Sequence, residues 1–213
     1  ASQDGGPQGI AFNTDGTKMF IAGTVNEKVY EYTLSTGFDV STASFVDGFD
    51  ISSQEIGVTD LAFNTDGTKM FIVGTGSDTV YEYNLSTGFD VSTASYVDGY
   101  SVNSQETLPT GLEFSADGKR MFITGNNGDD VTEYKLTTAF DVSTASHVGQ
   151  FDVSSQETQA SSIAFNAEGT KMFVLGYNGE DVNEYNLTSA FRVANDTGSV
   201  GSALIGAYGT LTM

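Results

Sequence analysis

Short runs of Val, Ile, Phe, Tyr and Thr alternate with clusters of turn residues along this chain, and no stretch sustains a helical period. Near the N-terminus the pattern predicts strands over 9–12, 18–22 and 28–34, and an outer strand over 43–51. The first two are joined by a turn at 13–16, where Asp15 can hydrogen-bond its own backbone and Gly16 accepts positive φ. A loop over 24–27 leads into the third strand. Residues 39–44 form either a polar crossover or one helical turn capped by Asp39. The third strand, Val29-Tyr30-Glu31-Tyr32-Thr33-Leu34, carries bulk on both faces. A sheet with one wet face would alternate apolar with polar, so this sheet is expected to be covered on both sides.

The same pattern returns at a fixed interval. Phe12, Phe63, Phe114 and Phe165 open equivalent hairpins, each 51 residues after the last. Val-Tyr-Glu-Tyr at 29–32 recurs with changes at 80–83, 131–134 and 182–185, and Phe38, Phe89, Phe140 and Phe191 keep the same step. Ser53-Gln54-Glu55 recurs at 104–106 and 155–157. Four copies of four short antiparallel strands predict an all-β fold, a β-propeller of four blades with four antiparallel strands each. The whole of 1–213 is read as one propeller domain, with blades at about 9–59, 60–110, 111–161 and 162–213.

The run Phe63-Asn64-Thr65-Asp66-Gly67-Thr68-Lys69-Met70-Phe71, followed by Asp78-Thr79-Val80-Tyr81-Glu82-Tyr83, resembles the repeat of YVTN-type and WD40-like bacterial β-propellers. The Phe-Asp-Val-Ser-Thr-Ala-Ser and Ser-Gln-Glu continuations resemble tandem arrays in secreted bacterial and phage proteins. The resemblance covers the chain to about Phe191 and implies fold more than function. Related propellers usually have more blades than four. The length of the repeat favours closure at four, and the alternative is part of a larger propeller or assembly.

Composition narrows the partners. Twenty-eight acidic residues face eight basic ones, a net charge of −20. Phosphate recognition needs Lys and Arg, so nucleic acid and anionic membranes are disfavoured, and no apolar run is long enough for membrane insertion. There is no cysteine and one histidine, His147, which leaves no thiol nucleophile and no multi-histidine metal site. An acidic, Gly-, Ser- and Thr-rich chain is expected in an extracellular setting or on a cell or virion surface.

The repeated charges come next. Glu31, Glu82, Glu133 and Glu184 sit mid-strand, where an unpaired carboxylate is costly, and Lys18, Lys69, Arg120 and Lys171 lie diagonally across the hairpin. These are expected to pair as structural elements. Ser-Gln-Glu is expected to cap linker amides or to form a ring of recognition loops. Asp129, Asp130, Glu180 and Asp181 lie in acidic, Gly-bearing loops and are the weak candidates for Ca²⁺, the one cofactor weighed; otherwise none is expected. Glu113 stands where the other copies have Ala11, Ala62 and Ala164, on a strand expected to line the channel. The off-repeat C-terminus offers Leu204, Ile205, Tyr208 and Leu211 either as a strand for a neighbouring subunit or as the closure of the fourth blade.

These features lead to the expectation of a non-enzymatic module. It would be structural or interacting, with other protein subunits, including copies of itself, as partners in a surface assembly or filament. A lectin-like glycan binder using Tyr30, Tyr81, Tyr96 and Tyr100 is the alternative, and a calcium-dependent hydrolase of lactones or esters the minor one.

Overall fold

The computed structural model describes residues 3–194 and 204–205. Among these residues the chain is all-β, and its sixteen strands fall into four antiparallel sheets in chain order. Blade 1 holds β1 (Pro7–Phe12), β2 (Lys18–Gly23), β3 (Lys28–Leu34) and β4 (Ala43–Asp50). Blade 2 holds β5 (Val58–Phe63), β6 (Lys69–Gly74), β7 (Thr79–Leu85) and β8 (Ala94–Ser101). Blade 3 holds β9 (Pro109–Phe114), β10 (Arg120–Gly125), β11 (Asp130–Leu136) and β12 (Ala145–Asp152). Blade 4 holds β13 (Ala160–Phe165), β14 (Lys171–Gly176), β15 (Asp181–Asn186) and the two-residue β16 (Leu204–Ile205).

Local chemistry sets the breaks between strands. Gly16 turns at φ +71°, and Asp15 accepts hydrogen bonds from the backbone and hydroxyl of Thr17 at 3.0 and 2.6 Å. Asp39 caps a single 3-10 turn at Val40–Thr42 by accepting from the Ser41 amide at 3.0 Å. Phe38 precedes it at φ +60°, a left-handed conformation unusual for an aromatic residue, and its counterparts Phe89, Phe140 and Phe191 share it. The strained backbone drops the Phe38 ring onto Gly16 and against Phe12, 5.5 Å between centroids.

The core lies between blades. One cluster joins Phe20, Val29 and Ile51 of blade 1 to Leu61, Ile72 and Tyr83 of blade 2; equivalent clusters join blades 2 and 3 and blades 3 and 4. Burying each such side chain contributes about 1.5–3 kcal/mol. Each joint repeats a tilted aromatic pair: Phe20–Phe63 at 4.5 Å, Phe71–Phe114 at 4.5 Å and Phe122–Phe165 at 4.6 Å.

The blades thus form a four-blade β-propeller joined at three places. β1 packs on β5, β5 on β9 and β9 on β13, and residues of all four inner strands border one cavity. Ile10 on β1 is 55% exposed and Leu175 on β14 is 45% exposed, although Leu61 and Val73, the same two positions in blade 2, are buried.

Candidate functional site

The four inner strands β1, β5, β9 and β13 line two adjoining axial cavities of about 380 and 400 Å³. Such volumes suit a small-molecule ligand. Their walls would be nearly equivalent by repeat, but two positions break the pattern. Asp60 on β5 stands where the other copies have Gly9, Gly111 and Ser162, and Glu113 on β9 stands where they have alanine. Asp60 lines both cavities and Glu113 lines the second, so the topology turns two departures from the repeat into one pair of carboxylates.

Both carboxylates are half-buried, and the backbone holds them. Asp60 Oδ1 accepts from the Leu61 amide at 2.9 Å, and its Oδ2 reaches across the joint to the Leu112 amide, also at 2.9 Å. Glu113 Oε1 accepts from the Phe114 amide at 3.2 Å. Gly9 lets β1 approach closely here: a side chain at that position would strike the Asp60 backbone. Loss of solvation pushes the Asp60 carboxyl up to about 6, against the pull of its two amides. Loss of solvation, with the Asp60 charge adding to it, pushes Glu113 up to about 7. Near neutral pH one carboxyl is mostly ionised while the other still holds much of its proton, an arrangement suited to acid–base chemistry.

The raised Glu113 value has a sign that can be tested. Between 4.5 and about 7 the folded state binds more protons at this site than the unfolded state does. Its contribution to stability is therefore present in acid and lost as pH rises through that window. Glu113→Gln keeps an acceptor for the Phe114 amide and removes the charge. We expect it to gain stability relative to the parent as pH goes from 4 to 8. A difference in denaturation midpoint that stays constant across that range would show that Glu113 is not perturbed.

The repeated glutamates lie elsewhere, at the joints. Lys18 Nζ donates to Glu31 Oε1 at 2.7 Å and to the Phe89 carbonyl of the next blade at 2.6 Å. Glu31 Oε2 accepts from the Val91 amide of blade 2 at 3.0 Å. Glu82 pairs with Lys69 and takes the Val142 amide at 3.0 Å; Glu133 pairs with Arg120 and takes the Val193 and Ala194 amides, each at 2.9 Å. Among the described residues Glu184 pairs with Lys171 only. These residues staple successive blades and do not enter the axial cavities.

Ser-Gln-Glu also works at the joints. Glu55 Oε1 accepts from the amides of Gly57 and Gly76 at 2.7 and 2.9 Å, and its Oε2 from the Ser77 hydroxyl at 2.6 Å. Glu106 and Glu157 hold the corresponding loops of blades 3 and 4. Gln54, Gln105 and Gln156 each accept from the buried tyrosine of the following blade, Tyr83, Tyr134 and Tyr185, at 3.3–3.4 Å.

The acidic loop residues are spread out. Asp130 is buried and accepts from Thr132 Oγ1 at 3.0 Å and Gln150 Nε2 at 2.5 Å, and desolvation raises its carboxyl to about 6. Asp129 takes the left-handed position of the loop at φ +50°, as Glu180 does at φ +53°. Asp181 accepts from Asn183. Among the described residues no three Asp, Glu or His side chains gather as a metal would need. Of the C-terminal candidates, Leu204 and Ile205 pair with Val182 and Asp181 in their own blade, while Tyr208 and Leu211 lie outside the described residues.

Sequence reasoning singled out Glu113 but missed Asp60. The signal was the same for both: a carboxylate where the other three copies carry Gly, Ala or Ser.

No family model matches the chain, and no curated protein matches it. Solved structures do. A Bacteroides uniformis protein named as a 6-phosphogluconolactonase is 12% identical with a TM-score of 0.65, covering 91% of this chain and 55% of its own. The periplasmic gluconolactonase of Pseudomonas aeruginosa is 16% identical with a TM-score of 0.60, over 93% of this chain and 54% of its own. The virginiamycin B lyase of Staphylococcus aureus is 13% identical with a TM-score of 0.59, over 92% and 56%. This chain spans about half the length of these proteins, and the likeness shows the β-propeller fold. It also corrects the expectation of a non-enzymatic structural module. Proteins named as enzymes use the same kind of blade arrangement, and here Asp60 and Glu113 break the repeat at the axis.

Proposed function

We propose that the chain carries a hydrolase site for a small, neutral polar lactone or ester, working in the axial cavity with Asp60 and Glu113. One observation carries this reading: two carboxylates with raised proton affinities share a cavity that the repeat alone would have lined with Gly, Ala and Ser. The names of the lactonase neighbours favour the substrate class, and the likeness of the repeat to YVTN-type and WD40-like propellers belongs to the same proposal.

In this scheme ionised Asp60 takes a proton from water as the water oxygen attacks the lactone carbonyl. Protonated Glu113 gives its proton to the ring oxygen as the acyl C–O bond breaks, leaving a hydroxy acid. Neither cavity has a Lys or Arg among its lining residues, and the chain carries a charge of −20. An uncharged sugar lactone is therefore favoured over a phosphorylated one.

The test is acid release from a neutral aldonolactone and from its phosphorylated form, in weak buffer near pH 6.5. We expect acceleration over the spontaneous rate for the neutral substrate, with the phosphorylated one slower. Spontaneous rates for both would remove the proposal.

A further inference from the structure

Glu113 faces two spaces. It lines the axial cavity with Asp60, and it also lines a pocket of about 180 Å³ between the turns of blades 2 and 3. Ala62, Phe63 and Glu113 border both, so the pocket continues the axial cavity past the Glu113 carboxyl. Most of its remaining wall is apolar, from Phe114, Phe140 and Ala116. Phe114 and Phe140 meet at 5.6 Å between ring centroids, tilted by 45°. Among the described residues that line the pocket, Glu113 is the one charged side chain.

The space has an origin in the sequence. In blades 1, 2 and 4 an asparagine follows the Phe that ends the inner strand: Asn13, Asn64 and Asn166. Its Oδ1 accepts from the amide five residues on at 2.8–2.9 Å, and its Nδ2 donates to a threonine hydroxyl at 3.1–3.2 Å. Blade 3 has Ser115 instead. Its hydroxyl oxygen accepts from the Arg120 amide at 3.0 Å and donates to Asp117 Oδ1 at 2.7 Å, so the turn is kept with a shorter side chain. Ala116 follows, where blades 1 and 2 have Thr14 and Thr65, and at the first joint Thr14 Oγ1 bridges to the Thr65 carbonyl at 3.4 Å. Blade 3 alone departs from the repeat at both 113 and 115, and both residues border this pocket.

We infer that the pocket holds the alcohol side of an ester substrate, and that the group it takes there is apolar and about the size of a benzene ring. The inference rests on the hydrolase reading for its direction. In that scheme Glu113 gives its proton to the leaving oxygen, so the group bonded to that oxygen lies past Glu113, while the polar acyl half stays beside Asp60. A cavity of roughly 150 Å³ is enough for benzene. Half-buried Phe63 and Phe140 offer a guest ring the tilted contacts that aromatic pairs favour. An anionic alcohol would meet Glu113 with no Lys or Arg on the wall to offset it.

Benzyl alcohol is the binding probe, titrated by ligand-detected NMR into the unmodified chain, Ser115→Asn and Ala116→Phe. The first variant restores the side chain of the other three blades, and the second adds bulk at an exposed turn position, so both should fold normally by circular dichroism. Binding should saturate in the parent and weaken by about tenfold or more in each variant, because the added group takes the guest's place. The kinetic readout is the ratio of kcat/KM for benzyl glycolate to that for methyl glycolate, which should exceed one in the parent and fall toward one in both variants. A parent that shows no saturable binding would overturn the inference, as would binding or a benzyl preference that both variants keep in full. Binding lost in the variants, with neither ester hydrolysed by the parent, would keep the pocket's ligand class and remove the hydrolase reading instead.

Discussion

Glu133→Ala is expected to destabilise the fold by about 3–5 kcal/mol, the cost of breaking a buried charge pair by removing one partner. Glu133 is fully buried, and its carboxylate satisfies the Arg120 guanidinium together with two amides from blade 4. The substitution leaves all three without a buried partner and opens a void at the joint. Glu184→Ala should cost no more than about 1 kcal/mol, because that pair is partly exposed and solvent takes over its partner. The comparison keeps the residue type and repeat position constant; the neighbouring blade changes, and the paired cation is Arg120 in one case and Lys171 in the other. Urea unfolding of both variants would read it. Equal losses would mean that the staple between blades contributes little beyond the pair within one blade.

Glu113→Gln and Asp60→Asn should each lower lactone turnover by about 10²–10⁴-fold, the usual effect of losing a positioned acid or base. With apparent values near 6 and 7, the parent's rate should peak in a narrow band around their midpoint. The two roles separate with a second substrate. A nitrophenyl ester expels a good leaving group that needs no proton, so Glu113→Gln should lose little activity toward it while Asp60→Asn loses as much as before. Equal losses on both substrates would reassign Glu113 from proton donor to a structural role.

Much of the blade is written locally. Residues 28–34 are legible as a strand because bulk on both faces fits only a sheet covered twice, and the structure covers Val29 and Tyr30 accordingly. The turn at 13–16 is legible because Asp15 and Gly16 each supply a specific turn element. The joints were half legible. A carboxylate fixed at Glu31 needs a partner, and its own hairpin supplies Lys18, but the second partner, Val91, lies sixty residues away on another sheet. The exposure of Ile10 against the burial of Leu61 was not legible, because it depends on which blade stands beside each. Asp60 escaped notice for a different reason. Attention to what recurs selects packing, whereas the axial pair consists of what does not recur.

The staples also have a direction. Glu31 waits for Val91, Glu82 for Val142 and Glu133 for Val193, always toward the C-terminus. A chain emerging in order from the ribosome would therefore hold each blade's carboxylate half-satisfied until its successor had folded against it. Each new blade locks the one made before it. The growing end, and never the finished part, is then the least stable region, so a stalled or clipped chain is marked for proteolysis at its last blade while the earlier ones stay protected.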